Sequence, residues 1–258
     1  MHPKQTARPA RLLTLARDLQ RRKARERTSQ FVAEGVRVVE ELIRSGRSVT
    51  GVLVTRTAAA TPRVAALLDA TTAPHVIVTD AEFASAASTD APQGILAVAE
   101  VADRGLGAVP ADRLRRVLVL DAVQDPGNVG TLIRTAAGLR ADAVVALPGT
   151  ADPWNAKVVR GGAGAHFHVI VTTATADELA ARLRDAGAVL WGADAAGRPV
   201  GSVPPPPRLA LAVGNEGAGL SPAVRDLAAA CVSLPMAPGI ESLNVAVAAG
   251  ILMYELFT

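Results

Sequence analysis

The sequence predicts an α/β protein whose C-terminal part folds around a parallel sheet and is preceded by a smaller α/β module. Three observations carry this. Apolar runs alternate with helical patterns along most of the chain. From Val117 onward the runs are continuously apolar, as strands covered on both faces must be. Between the two parts, 102–116 mixes charge with two glycines and a proline, the composition of a linker.

The elements follow in order. Phe31-Val-Ala-Glu-Gly reads as a strand, and Val36 to Arg44 as a helix ending near Gly46, the residue best suited to leave a helix. Val49 to Thr55 is a β-branched strand, and Pro62 opens a helix running to Asp69, since proline is tolerated in a first turn. His75 to Thr79, Ala81 to Ala87 and Gly94 to Val101 repeat the strand, helix, strand scheme and complete a module over 29–101. In the second domain, 117–258, strands are expected at Val117 to Leu120, Ala143 to Leu147, Phe167 to Val171, Val189 to Gly192, Leu209 to Val213 and Cys231 to Leu234. Helices fall between them at 128–139, 154–161, 176–187, 221–229 and 242–257. Pro204 to Pro207 gives a stiff extended approach to the Leu209 strand.

Composition narrows the function classes. No apolar run reaches the roughly 20 residues that span a bilayer, and no apolar segment follows the basic N-terminus, so cytoplasmic residence without a membrane anchor is expected. The single cysteine, Cys231, cannot form an internal disulfide. Four histidines offer no metal-ligand set; His166 and His168 alternate like strand residues, and no metal is expected. Residues 1–30 carry nine Lys and Arg against Asp18 and Glu26, a net +7; the remaining chain has eighteen basic and twenty-two acidic residues, a net −4. A basic segment, 1–28, beside an acidic body suits docking on phosphates, although a solvated tail would share this composition. With only 3% aromatics, a folded RNA read by shape and backbone suits the chain better than a single strand read by stacking.

Chemistry concentrates in three loops that follow strands of the second domain. In an open parallel sheet such loops converge where ligands bind, outside the carboxyl ends of the strands. The first runs from Asp121 to Ala136. In it Asn128 is placed to cap the next helix, and Arg134 stands in an apolar run, either snorkelling outward to pair with an acid or aimed at a phosphate or hydroxyl. The second, Gly214-Asn-Glu-Gly-Ala-Gly-Leu-Ser-Pro, has glycines enough to wrap a ligand and puts Ser221 and Pro222 at a helix start. It lacks the Gly-Lys-Ser/Thr of a P-loop and the spacing of a dinucleotide fingerprint, which disfavours a Rossmann oxidoreductase. Glu216 is either an exposed turn residue or a carboxylate beside a cofactor. The third, from Leu234, sets Glu241, Ser242 and Asn244 at the mouth of a helix with nothing ionisable from Val245 to Tyr254, which is therefore expected to be buried.

Together these loops resemble the SpoU/TrmH family of RNA ribose methyltransferases in the SPOUT superfamily. The resemblance rests on Asn128 with Arg134-Thr135 six residues on, on Gly214 to Leu220, and on Pro235-Met236 followed by Ser242 to Val245. Phe31 to Arg37 is similar to the family's L30e-like substrate-binding domain. The resemblance implies a trefoil-knotted C-terminal domain, S-adenosylmethionine as methyl donor and a homodimer through that domain. It implies RNA as substrate, ribosomal RNA ahead of transfer RNA. It further implies a catalytic set of Asn128, Arg134, Glu216, Ser242 and Asn244, and cofactor contacts at Ala193, Gly214, Leu234 and Leu243. Arg134 would serve as base or as electrostatic clamp. The alternative function is an RNA-binding or ribosome-assembly protein that keeps the knot without catalysis.

Overall fold

A computed structural model describes residues 9–102, 105–240 and 242–258. Lys4 and Arg8 of the basic segment, 103–104 of the expected linker, and Glu241 lie outside the described residues. The chain forms two compact units. The described residues up to Ala102 group with Trp154–Phe167 in the first; the rest, through Pro153 and from His168 to Thr258, make the second. The expected contiguous domain over 117–258 therefore differs from the compact units, because 154–167 packs with the first.

In the first unit, α1 (Pro9–Asp18) and α2 (Arg22–Thr28) lead into β1 (Gln30–Glu34), α3 (Val36–Arg44), β2 (Val49–Thr55), α4 (Arg56–Ala59), α5 (Pro62–Ala70), β3 (His75–Val78), α6 (Asp80–Ala84) and β4 (Ile95–Glu100). The sheet order is β1-β4-β2-β3, with β4 antiparallel to both neighbours and β2 parallel to β3. The basic segment is no solvated tail over its described part. Leu12, Leu13, Ala16 and Leu19 of α1 and the turn after it belong to the same buried cluster as Val32, Leu53, Phe83 and Leu96. Arg25 is buried as well, and its guanidinium donates to the Leu19 carbonyl at 2.7 Å, closing the turn between the helices.

The segment 154–167 enters this unit by aromatic and ionic contacts. The Trp154 ring lies 4.8 Å from that of Phe31 and 5.5 Å from that of His166. Arg160 faces the buried carboxylate of Glu34 at 3.7 Å, and Glu34 also accepts from the amide and hydroxyl of Ser88. The expected strand from Phe167 is a 3-10 turn over Ala165–Phe167, with His166 buried inside it, and the strand begins only at Ile170.

The second unit opens where a linker was expected, yet much of 105–114 is docked. Two 3-10 turns, Leu106–Ala108 and Ala111–Arg113, bury Leu106 and Val109 in the core. The guanidiniums of Arg182 and Arg208 donate to the carbonyls of Val109 and Ala111. Then come β5 (Arg116–Leu120), α7 (Pro126–Gly138), β6 (Ala143–Ala146), β7 (Ile170–Thr173), α9 (Ala176–Ala186), β8 (Val189–Pro199), β9 (Leu209–Val213), α10 (Pro222–Leu227), β10 (Ala230–Ser233) and α11 (Val245–Phe257), with α8 (Ala156–Gly161) contributed to the first unit. All six strands run parallel in the order β10-β8-β9-β5-β6-β7, as the expected parallel sheet requires. The central strand β9 is buried along its whole length, as its unbroken apolar sequence requires. Unlike the expected buried helix, α11 leaves Val247, Ile251 and Tyr254 exposed on one side.

Candidate functional site

The topology reverses between β5 and β9. From β5 the chain moves through β6 to β7, whereas β8, β9 and β10 lie on the other side. The loops leaving β5, β9 and β10 carry the three sequence motifs, and their side chains meet. Asn128, in the first turn of α7, donates its amide hydrogen to Glu216 at 2.9 Å. Its amide oxygen accepts from Asn244 at 2.9 Å. One asparagine thus ties the glycine loop after β9 to the start of α11.

Each member has local reasons to be where it is. Asp125, and not Asn128, is the N-cap of α7, its carboxylate accepting from the Asn128 amide at 2.7 Å; Pro126 follows at the first helical position. That leaves the Asn128 side chain free for tertiary contacts. Asn244 caps α11, taking the amides of Ala246 and Val247 on its oxygen while its nitrogen reaches Asn128. Glu216 sits in a closed turn. Asn215 and Gly219 exchange backbone hydrogen bonds at 2.9 Å, and a Cβ on Gly214 would lie 2.2 Å from the Gly219 carbonyl carbon. Glycine at 214 is therefore demanded by the loop's own backbone.

Burial works against the ionised form of Glu216, but hydrogen bonds from Asn128 and from backbone amides, including those of Gln124 and Asp125, outweigh it. The net effect holds its carboxyl below the ordinary range, as an anion at neutral pH.

Arg134 and Ser242 stand apart from this chain. Arg134 is exposed on α7, and among the described residues it makes neither the snorkelling pair nor a hydrogen bond within the crevice. Ser242 is likewise exposed, with no hydrogen bond among the described residues. Thr135 beside Arg134 returns its hydroxyl to the Thr131 carbonyl.

Of the four backbone positions implied for a cofactor, Ala193, Gly214 and Leu234 lie on or just after the adjacent strands β8, β9 and β10, and Leu243 precedes α11. Ala193 falls in a bulge of β8, where pairing with β10 jumps from Gly192 to Arg198. The bulge is fixed by Asp194, which accepts from the Ala196 amide and pairs with Arg225 at 2.6 Å. Bulges of this kind re-aim the backbone beside functional sites. Gly214 follows β9, Leu234 follows β10 and is half-buried, and Leu243 is 39% exposed just before Asn244.

Two residues here are outside the expected catalytic and cofactor sets. Asp121 is buried and accepts from the Ser221 amide at 2.6 Å; Asn215 donates to the Ala122 carbonyl at 3.0 Å. Both stand inside the loops, but nothing in their spacing announces a partner about ninety to one hundred positions away. The Asp125-Pro126 pair could have been read as a helix start. Among the described residues no group of three His, Cys, Asp or Glu is placed to hold a metal ion, and no helix is long and apolar enough to cross a membrane.

The chain matches two family models: the SpoU rRNA Methylase family over residues 115–254, and the MRM3-like substrate binding domain over 14–97. It is 38% identical over 239 residues to 23S rRNA (guanosine(2553)-2'-O)-methyltransferase RlmP of Bacillus subtilis, covering 92% of each chain. Among solved structures it resembles the SpoU methyltransferase AviRb of Streptomyces viridochromogenes in complex with AdoMet, with TM-score 0.85, 27% identity, and 95% of this chain and 96% of that one covered. An AdoMet-bound rRNA methyltransferase of Sinorhizobium meliloti gives TM-score 0.84 at 26% identity, over 97% of this chain and 95% of that one. Motifs on three loops, the parallel sheet that gathers them and relatives matched along nearly their whole length agree: the chain belongs to the SpoU/TrmH family of SPOUT-fold RNA methyltransferases.

Proposed function

We propose that this protein transfers the methyl group of S-adenosylmethionine to a ribose 2′-hydroxyl of ribosomal RNA. The observation that carries the reading is the hydrogen-bonded chain Glu216, Asn128, Asn244, which joins the three motif loops at the carboxyl ends of the strands. RlmP, similar over nearly all of both chains, is named for 2′-O-methylation of a guanosine in 23S rRNA, and two structural relatives hold AdoMet. The residues suit this cofactor: a half-buried apolar wall at Ala193 and Leu234, exposed backbone at the strand ends, and an ionised Glu216 compatible with a cationic sulfonium. When bound, S-adenosylmethionine supplies the electrophilic methyl.

The chain's own residues then have the task of positioning a poor nucleophile for in-line displacement. Glu216 fixes Asn128, and Asn128 fixes Asn244 at the mouth of α11. Arg134, without an ion pair or hydrogen bond among the described residues, binds the phosphate next to the target ribose and stabilises the developing alkoxide. A guanidinium remains protonated and so serves as a clamp more readily than as a base. Ser242 orients Arg134 or the ribose.

A second copy of the chain covers the exposed stripe Leu243, Val247, Ile251 and Tyr254 and makes a homodimer through the C-terminal unit. The enzyme works in the cytoplasm, beside the ribosomal RNA it modifies.

The test is tritiated methyl transfer from S-adenosylmethionine to ribosomal RNA, with ribose methylation mapped by alkaline resistance. Wild type is expected to label one 2′-position. Arg134→Ala is expected to fall about a hundredfold in kcat, with thermal stability little changed because the side chain is exposed and makes no hydrogen bond or ion pair with a described residue. Transfer by Arg134→Ala at the wild-type rate would remove Arg134 from the mechanism, and absence of any transfer by wild type would overturn the assignment.

A further inference from the structure

The two loops that meet at Glu216 are joined by more than that carboxylate. At the exit of β5, Asp121 gives its amide to the Val213 carbonyl and takes the Ser221 amide on its carboxylate. The next residue, Ala122, turns into the left-handed region at φ 57°, where its Cβ is disfavoured by the backbone. Its carbonyl accepts the Asn215 side-chain amide at 3.0 Å. A side chain on Gly149 would press on the Ala122 methyl at 2.9 Å, so the neighbouring turn has little room to relax. After Val123, Gln124 and Asp125 aim their amides at the Glu216 carboxylate, at 3.2 and 3.3 Å. Residues 121, 122, 124 and 125 thus meet 221, 215 and 216 in a continuous clasp, and the strained turn at Ala122 lets consecutive residues face the same loop.

We propose that Asp121 and Asn215 are positioning residues for methyl transfer: they seat the glycine loop on the exit of β5, which places Glu216 where it can hold Asn128 and, through it, Asn244. The inference rests on the methyltransferase reading above and adds to it two residues that need touch neither cofactor nor RNA. Asn215 serves both sides of the loop. Its oxygen accepts from the amides of Gly217 and Ala218, making the turn, while its nitrogen makes the bond across to Ala122. The two jobs are separable. Asn215→Asp keeps the acceptor that shapes the turn and has no hydrogen to give to Ala122. At position 121, Asp121→Ala deletes the acceptor for Ser221, whereas Asp121→Asn restores one.

The experiment compares full-length wild type, Asn215→Asp, Asp121→Ala and Asp121→Asn in steady-state methylation of ribosomal RNA, with amide hydrogen exchange followed in the same proteins. Misplacing a preorganised group by about an ångström costs up to roughly a hundredfold. Asn215→Asp and Asp121→Ala are therefore expected to lose tenfold or more in kcat with RNA KM within about threefold, and Asp121→Asn to recover most of the rate. Exchange should quicken at the amides of Gln124 and Asp125 in Asn215→Asp, and also at Ser221 in Asp121→Ala, with the melting of the buried Trp191 signal little moved. Wild-type kcat in Asn215→Asp, or failure of Asp121→Asn to recover activity lost in Asp121→Ala, would overturn the proposal. If wild type itself transfers no methyl group, the functional reading fails instead. The exchange result then decides the clasp alone, and unchanged protection at Gln124 and Asp125 would refute it.

Discussion

Asn128 uses both ends of its amide at once, giving hydrogen to Glu216 and taking it from Asn244. The two side chains of the same shape cannot do both: aspartate has no hydrogen to give and leucine neither gives nor accepts. Asn128→Asp is expected to break the bond to Glu216 and set two carboxylates side by side, lowering kcat about tenfold or more and raising the Glu216 pKa. Carbon-13 NMR of labelled glutamate checks the second half. The sign of the pH effect follows from the same bonds. Because the Glu216 carboxyl is held below its ordinary value of 4.5, its contribution to the folded state is fully present above that value and is lost as pH falls through the lower, folded pKa. Glu216→Gln should flatten that part of the acid unfolding curve; an unaltered curve would show that these bonds do not favour the ionised form.

At the scale of elements, α11 departs furthest from its sequence. A helix with nothing ionisable between Val245 and Tyr254 reads as buried, but only one side of it is: Ala246, Ala249, Leu252, Met253, Leu256 and Phe257 turn inward, while Val247, Ile251 and Tyr254 remain exposed. Those three recur at helical spacing and continue from Leu243, so a single apolar strip is left for another surface to cover. With a second copy as the occupant, Val247→Asp is expected to convert a dimer to a monomer. Light scattering after size exclusion measures this, and a dimer that persists at low micromolar concentration would exclude the strip from the interface. The helical segments before β1 show the opposite departure. Their charge suits docking on phosphates and would equally suit a solvated tail, but α1 supplies Leu12, Leu13 and Ala16 to the core, so its basic residues are displayed from a folded element.

For the whole molecule, the two units carry one tryptophan each, Trp154 in the first and Trp191 in the second, which allows their stabilities to be read separately. Leu12→Ala removes a side chain only 3% exposed and is expected to cost about 2–5 kcal/mol. In a Trp191→Phe background the Trp154 transition should move to lower denaturant. An unmoved transition would mean that α1 is not part of the cooperative core.

The alternation of apolar runs was enough to find the strands, because a strand covered on both faces has no polar face to present; Val49–Thr55 and Leu209–Val213 have the bounds read from sequence. The three motif loops were also legible, since turns, caps and close backbone approach demand particular residues locally, as at Gly214 and Ser221. Other features depended on partners distant in sequence. The docking of 154–167 with the first unit, the burial of α1, the Asp121 and Asn215 clasp, and the separation of Arg134 and Ser242 from the Glu216 chain follow no local period. Local sequence fixes which backbone shape each segment prefers and which groups must find partners. Which partners they find is set by packing and hydrogen bonding across loops, and only the tertiary structure decides that.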